Sequence, residues 1–368
     1  MGLRGFNRLK GLMYKEDWER VAETYEAWWE GELNRPILQL TCLHPGVNIL
    51  DYYLTMSWAF MIHTPEEALN RLFECFSKTD FMAEAYPNVF INIGPGALSA
   101  FLGADLKFNP KAGTVWFIGD SSIDELLDVE LKPENRWWRY VLDCSRYASE
   151  MCRGKAIVAF TDLLDVATSL AQLRGGPVNL IRDIYTKPST VKEALENLHK
   201  VWFECFMKLS EAINTALYGY SNWASIWSRR RSFILQCDFI TYLSPRLFDE
   251  FIYPLILEEC RFFERSFWHL DGPGELPHLD KLLRIDELDG IQWVPGAGNP
   301  GLGEDCWVPL YRKIIEAGKL LQLPGVPADR VIPILERIPG KSVLIQTSTL
   351  NHGEAERLLS KLNEKYSP

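Results

Sequence analysis

The sequence predicts an α/β protein: a single (β/α)8 TIM barrel over residues 35–368, with an insertion in its first half, after a helical extension over residues 1–34. Three observations lead there. Eight short apolar runs alternate with helical patterns. No long Gly-, Ser- or Pro-rich linker divides the 368 residues into two domains. The last four runs recur at short, even spacing, which suits compact strand–helix repeats better than a doubly wound sheet.

Within residues 15–33, Trp18, Val21, Ala22, Tyr25, Trp28 and Trp29 fall at spacings of three and four with acidic residues between them, the pattern of an amphipathic helix. It precedes the first strand, so it is expected to pack across the outside or bottom of the main domain. Strands are expected at 36–43, 89–93, 156–160, 234–239, 267–271, 291–294, 320–323 and 343–347. Thr64-Pro65-Glu66-Glu67 opens a helix with a capping box and a proline at its first position. A second capping box is expected at Thr190–Glu193, a helix start at Ser244-Pro245 with Leu247, Phe248, Phe251, Ile252 and Leu255 as one buried stripe, and a third box at Asn351 and Glu354. Residues 94–155 fit no barrel unit. There Thr114–Ile118 reads as a hairpin strand inserted over the barrel mouth.

Composition excludes several classes. A formal net charge of -10 repels a phosphate backbone, so nucleic acid is not an expected partner. Eight cysteines are scattered without a C-x-x-C pair, which suggests neither a disulfide framework nor a zinc ribbon and fits a reducing cytoplasm. The N-terminus lacks the apolar core of a signal peptide, carries Phe6 where a myristoylation signal needs Ser or Thr, and no apolar run is long enough to span a bilayer. Thirteen Trp, fourteen Tyr and nineteen Phe are more than a core needs, and a wide pocket for a flat or apolar ligand would use the excess.

The chemistry is expected at strand ends. In Phe267-Trp268-His269-Leu270-Asp271-Gly272-Pro273-Gly274, alternation sends His269 and Asp271 to one side at the carboxyl end of a strand, where a parallel α/β protein collects its catalytic groups. The bland reading gives His269 a carbonyl partner and makes Asp271 a helix cap. Asp162 and Asp165 follow the 156–160 strand; Gln236 and Asp238 share a side of 234–239; Gln292 and Trp293 end 291–294; Gln346, Thr347, Ser348 and His352 close the last unit. Singly each is more often structural, and their coincidence at one face is the signal. Gly94-Pro95-Gly96 and Gly272-Pro273-Gly274 can be anion nests or tight turns, and Arg229-Arg230-Arg231 an anion site or a solvated loop. Neither glycine turn completes a dinucleotide or phosphate-loop motif.

Asn92–Gly96, the run from Asp162 to Gly176, Cys237-Asp238-Phe239 followed by Leu243-Ser244-Pro245 and Phe248, and His269-Leu270-Asp271-Gly272 together resemble the superfamily that joins uroporphyrinogen decarboxylase, cobalamin-independent methionine synthase and the corrinoid-linked methyltransferases. The resemblance covers most of the chain and implies a (β/α)8 barrel acting in one-carbon metabolism. It implies methyl transfer on a small molecule, with a corrinoid presented by a partner protein. His269 and Asp271 would act on the substrate or hold a divalent metal such as zinc. Gln236, Asp238, Asp162, Gln292, Ser348 and His352 would bind the substrate, and Trp293 would form an apolar wall. The methyltransferases have His-x-Cys where this chain has His269 and Asp271, and Ser348 or His352 stands in place of their second cysteine, so a thiolate-bound zinc is lost. The Arg-rich anchor of the decarboxylases is missing after Asn34-Arg35-Pro36, although His352-Gly353 matches their final His-Gly. A decarboxylase for a small acid and a non-catalytic barrel that docks a corrinoid protein are the rival readings. A homodimer is a further expectation.

Overall fold

The computed structural model describes residues 11–366. The first ten residues of the predicted extension, Phe6 among them, lie outside the described residues. The structure is mixed α/β and contains eleven described strands: β1 Ile37–Leu43, β2 Thr79–Ala83, β3 Asn88–Phe90, β4 Asp105–Asn109, β5 Thr114–Ile118, β6 Ile157–Ala159, β7 Ser232–Leu235, β8 Arg265–Asp271, β9 Gly290–Val294, β10 Leu320–Leu323 and β11 Val343–Thr349. All eight predicted strands are present within a few residues of their expected bounds. Residues 236–239 are the main exception. They leave β7, and Asp238–Tyr242 forms a 3-10 turn.

Ladders join the strands in the order β2-β1-β11-β10-β9-β8-β7, parallel throughout except for the antiparallel β2, while β3 and β6 form a separate parallel pair. These ladders do not draw the closed ring expected from the sequence. Beside β6 lies the segment 219–228, and Phe160 at the end of β6 donates its N–H to Ser221 O at 2.9 Å. Asn88 of β3 donates to Asn222 O at 3.0 Å and to the Ser225 hydroxyl at 3.1 Å. The segment thus bridges the strand pair to the large sheet.

Strand alternation divides the core in two. Leu38, Leu40, Trp268, Leu270, Ile291, Trp293, Leu321, Leu323, Val343 and Ile345 face outward and pack against the helices in the main core. Ile37, Ile157, Ile234, Phe267 and Leu344, near the amino ends of their strands, face inward into a second core with Trp18, Val21, Tyr25, Trp28 and Trp29. The predicted amphipathic helix, α1 (Trp18–Trp29), therefore caps the bottom of the strands. Trp28 stacks on Phe267 at 5.9 Å, and the Trp29 indole donates to Trp227 O at 2.9 Å. The arginine triplet belongs to this end. Arg229 N–H donates to Glu26, Arg230 pairs with Glu30 at 2.7 Å, and Arg231 lies over the Phe262 ring.

The predicted caps divide similarly. Thr64 and Glu67 form their reciprocal box, and Asn351 caps the last helix through Glu354 N–H. The expected box at Thr190 is not formed, because the helix Pro188–Ala212 begins two residues earlier at a proline. The stripe after Ser244 is split into Pro245–Phe251 and Tyr253–Phe262, since Pro254 has no N–H to continue one helix. The insertion is an antiparallel β4–β5 hairpin. Gly94 and Gly96 are its seats: both have positive φ, and an added Cβ would lie 2.6 Å from the side chains of Val115 and Phe117. Close packing, not an anion nest, accounts for Gly94-Pro95-Gly96.

Candidate active site

Inward-facing glutamines define the middle of the strands. Gln39 in β1, Gln346 in β11, Gln322 in β10, Gln292 in β9 and His269 in β8 follow one another across the sheet, with Gln39 opposite Gln346, Gln322 opposite Gln292, and Gln292 opposite His269 in register. The segment 222–225 lies against them. Gln322 donates to Ala224 O at 2.7 Å, Gln346 donates to the same oxygen at 2.9 Å, and Gln39 donates to Ser225 O at 2.6 Å.

This chain of amides fixes the tautomer of His269. Ala224 O can only accept, so the NH2 of Gln322 must face it and the Gln322 carbonyl must face Gln292. Gln292 donates to that carbonyl at 2.8 Å and turns its own carbonyl toward His269 Nδ1. Nδ1 of the neutral imidazole therefore carries the proton, and Nε2 keeps its lone pair. Trp223, from the same segment, holds the ring edge-on at 4.9 Å. The functional reading of His269 and the bland one combine here: a structural partner on one nitrogen leaves the other free for chemistry.

Above this layer, toward the carboxyl ends, acidic groups gather. Asp162 is buried; it accepts from Leu164 N–H at 2.9 Å and from the Gln236 amide at 2.5 Å. Burial holds its carboxyl up at about 7, and the charge of Asp238 adds to the rise. Asp165 caps the helix Val166–Leu173 with one oxygen, faces the buried Cys237 thiol, and is raised by burial to about 6. Asp238 is raised to about 6 by burial and by Asp165 and Asp271, against the pull of His269. Glu275 is 0 % exposed, and neither of its carboxylate oxygens has a hydrogen bond of ordinary geometry. Burial and the nearby Asp238 push it well above the usual carboxylate range, with only partial relief from the Asp271 backbone and the Trp268 indole.

Asp162, Gln236, Asp238, His269, Asp271 and Gln292 are thus brought into one region, with Asp271 exposed at its rim. Ser348 is exposed on the inner face opposite Thr41, two residues above Gln346. Two predicted residues are elsewhere. Trp293 points outward by alternation, is 0 % exposed, and packs on Trp307 at 4.9 Å, so it forms no wall of the site. His352 starts the last helix on the surface, 3.6 Å from Asp80 and 3.4 Å from Glu356. Sequence reasoning missed Gln39, Gln322, Trp223 and Glu275. One glutamine near the middle of each of four predicted strands was the available sign; nothing local marks Glu275.

Beside Asp238 opens a cleft of about 570 Å3, walled by β5, the helix Val166–Leu173 and the 3-10 turn. Among the described residues no three His, Cys, Asp or Glu side chains converge to hold a metal ion.

No family model and no curated protein matches the sequence. In fold, the chain is similar to a methyltransferase from Methanosarcina mazei. The two superpose with a TM-score of 0.61 over 94% of this chain and 99% of that one, at 12% sequence identity. At that identity the likeness concerns the fold. No described helix is long and apolar enough to cross a membrane.

Proposed function

We propose that the protein is a methyltransferase on a (β/α)8 barrel, taking a methyl group from a small molecule bound at the carboxyl ends of the strands. The observation that carries this reading is the match along nearly the whole chain to a methyltransferase fold, with a polar, titratable site at the end where such folds place their chemistry. The sequence resemblance adds a corrinoid presented by a partner protein in the cytoplasm, as methyl donor or acceptor, and the acceptor role is taken here.

The chain's own groups suit such a step. As an acceptor's electron pair bonds to the methyl carbon, the bond from methyl to its heteroatom breaks and that pair stays on the heteroatom. A neutral oxygen leaving in this way needs a proton. Asp238, raised to about 6, can supply it; that proton leaves with the alcohol, and the unprotonated Nε2 of His269 can relay a replacement from solvent to Asp238. Burial pushes the Glu275 carboxyl upward and so disfavours a further negative charge beside Asp238. A decarboxylase of small acids fits less well, because no Lys, Arg or His lines the cleft to receive a carboxylate. The test is methyl loss from 13C-methyl donors, a panel of methoxy and N-methyl compounds, with reduced cobalamin as acceptor, followed by NMR and visible absorbance. Transfer from at least one donor is expected. Carbon dioxide release from a carboxylic acid panel, without methyl transfer, would overturn the reading.

A further inference from the structure

His199 sits far from water for a group that titrates near neutral pH. It is 3 % exposed in the helix Pro188–Ala212, with the Phe203 ring against it at 4.6 Å. Each of its nitrogens faces a different carboxylate on the helix Tyr253–Phe262: Nε2 lies 3.1 Å from Glu259 Oε1, and Nδ1 lies 3.3 Å from Glu258 Oε2. Glu259 is itself buried, and Glu258 reaches solvent. A neutral imidazole has one N–H, so in either tautomer a lone pair would face a carboxylate. Only the imidazolium donates to both. Burial works against the charged ring, but Glu259 and then Glu258 outweigh it, and the ring holds its proton above the ordinary 6.5.

The two helices it joins serve different parts of the site. Trp202, three residues after His199, donates its indole N–H to Leu164 O at 2.8 Å and so grips the loop that carries Asp162 and Asp165. The helix Tyr253–Phe262 runs through Phe263 and Glu264 into β8, which carries His269 and Asp271. The Asp165 carboxyl and the Cys260 thiol both feel the charge of Glu259, so a change at this junction reaches the acidic loop. We infer that His199 is a proton-operated clamp: as imidazolium it binds the two helices and fixes β8 relative to the acidic loop. On losing its proton it leaves Glu259 as an uncompensated buried charge and loosens β8. By linkage, a proton held more tightly in the fold than in the unfolded chain stabilises fully below pH 6.5, and that stabilisation is lost as pH rises through the raised value. The clamp stands apart from the methyltransferase reading, and neither depends on the other.

Nitrogen-15 NMR of the histidine-labelled full chain from about pH 6 to 9, with hydrogen exchange of the native protein over the same range, tests the clamp. At pH 6.5 both nitrogens of His199 should carry protons, and Glu259→Gln should lower its midpoint by about one pH unit or more. Amide protection in residues 253–271, corrected for intrinsic exchange rates, should fall by up to about tenfold per pH unit once His199 begins to titrate, the most that one linked proton can do. His199→Gln should lose that pH dependence, with far-ultraviolet circular dichroism checking its fold; the native measurements stand without it. One bare nitrogen on His199 at pH 6.5, which would put the proton on Glu259 or nowhere, overturns the inference, as does an unchanged midpoint in Glu259→Gln. Protection in 253–271 that stays flat while His199 loses its proton overturns it too, because His199 would then be a titrating ion pair and no switch.

Discussion

Replacing Gln322 by Leu should move the proton on His269. In the native protein the alternative tautomer, with the proton on Nε2, requires Gln292 to donate to Nδ1 and so to turn its carbonyl toward Gln322. Gln322 must then donate to Gln292 and turn its own carbonyl onto Ala224 O, two acceptors at the present separation of 2.7 Å. Gln292 and Gln322 are 1 % and 0 % exposed, so water cannot repair the mismatch. A buried unsatisfied polar group costs about 1–3 kcal/mol, so the Nδ1–H form should dominate by about five- to 150-fold. Leu at 322 removes both contacts of that residue. Ala224 O keeps its bond from Gln346, and Gln292 becomes free to flip. Nitrogen-15 NMR of histidine-labelled protein separates protonated from unprotonated ring nitrogens, and six histidines make assignment by single substitutions practicable. Native His269 should show a protonated Nδ1, and Gln322→Leu should give a mixture or a reversal. A native proton on Nε2, or an unchanged ratio in the variant, would refute the relay from Ala224.

Further expectations follow from the same geometry. His269→Ala and Asp271→Ala should each lower turnover by about 100-fold, with the double variant scarcely worse, if the two act as a unit; independent, multiplying losses would count against this. Asp162 rises from 3.8 to about 7 on folding, so the stability it supports is complete below about pH 3.8 and disappears as pH climbs through 7. Asp162→Asn keeps an acceptor for Leu164 and Gln236 and should be stabilising at pH 8 relative to pH 5 by about 2.7 kcal/mol, the two pH units between 5 and 7 at 1.36 kcal/mol each; urea melts at both pH values read this out, and equal effects at both would contradict it. Trp28→Ala, which empties the second core beneath Phe267, should cost about 3–5 kcal/mol in the same melts.

Much of the strand framework was legible because each strand is a short apolar run bounded by turn residues, and the inward–outward split follows from period two. The same rule, applied strictly, puts Trp293 outside, since it neighbours an inward Gln292. Reading both as site residues asked one strand position to face two ways. The bridging by 219–228 was not legible, because Tyr220–Ser228 makes its contacts with side chains distant in sequence, such as Asn88 and Gln346. Arg229-Arg230-Arg231 read as a possible anion site because its partners, Glu26 and Glu30, lie two hundred residues earlier on α1. Likewise β2 escaped notice: Thr79–Ala83 alternates weakly and gains its place from pairing with β1.

The most direct test of the site is methyl transfer by two single histidine variants, His269→Ala and His352→Ala, under the conditions that support transfer by the native protein. His269 lies on the inner face with a free Nε2, and His352 lies on the surface beside Asp80 and Glu356. A loss of about 100-fold in the first and native turnover in the second are the expected results. Native turnover in His269→Ala, or a comparable loss in His352→Ala, would move the chemistry away from His269 and contradict the account.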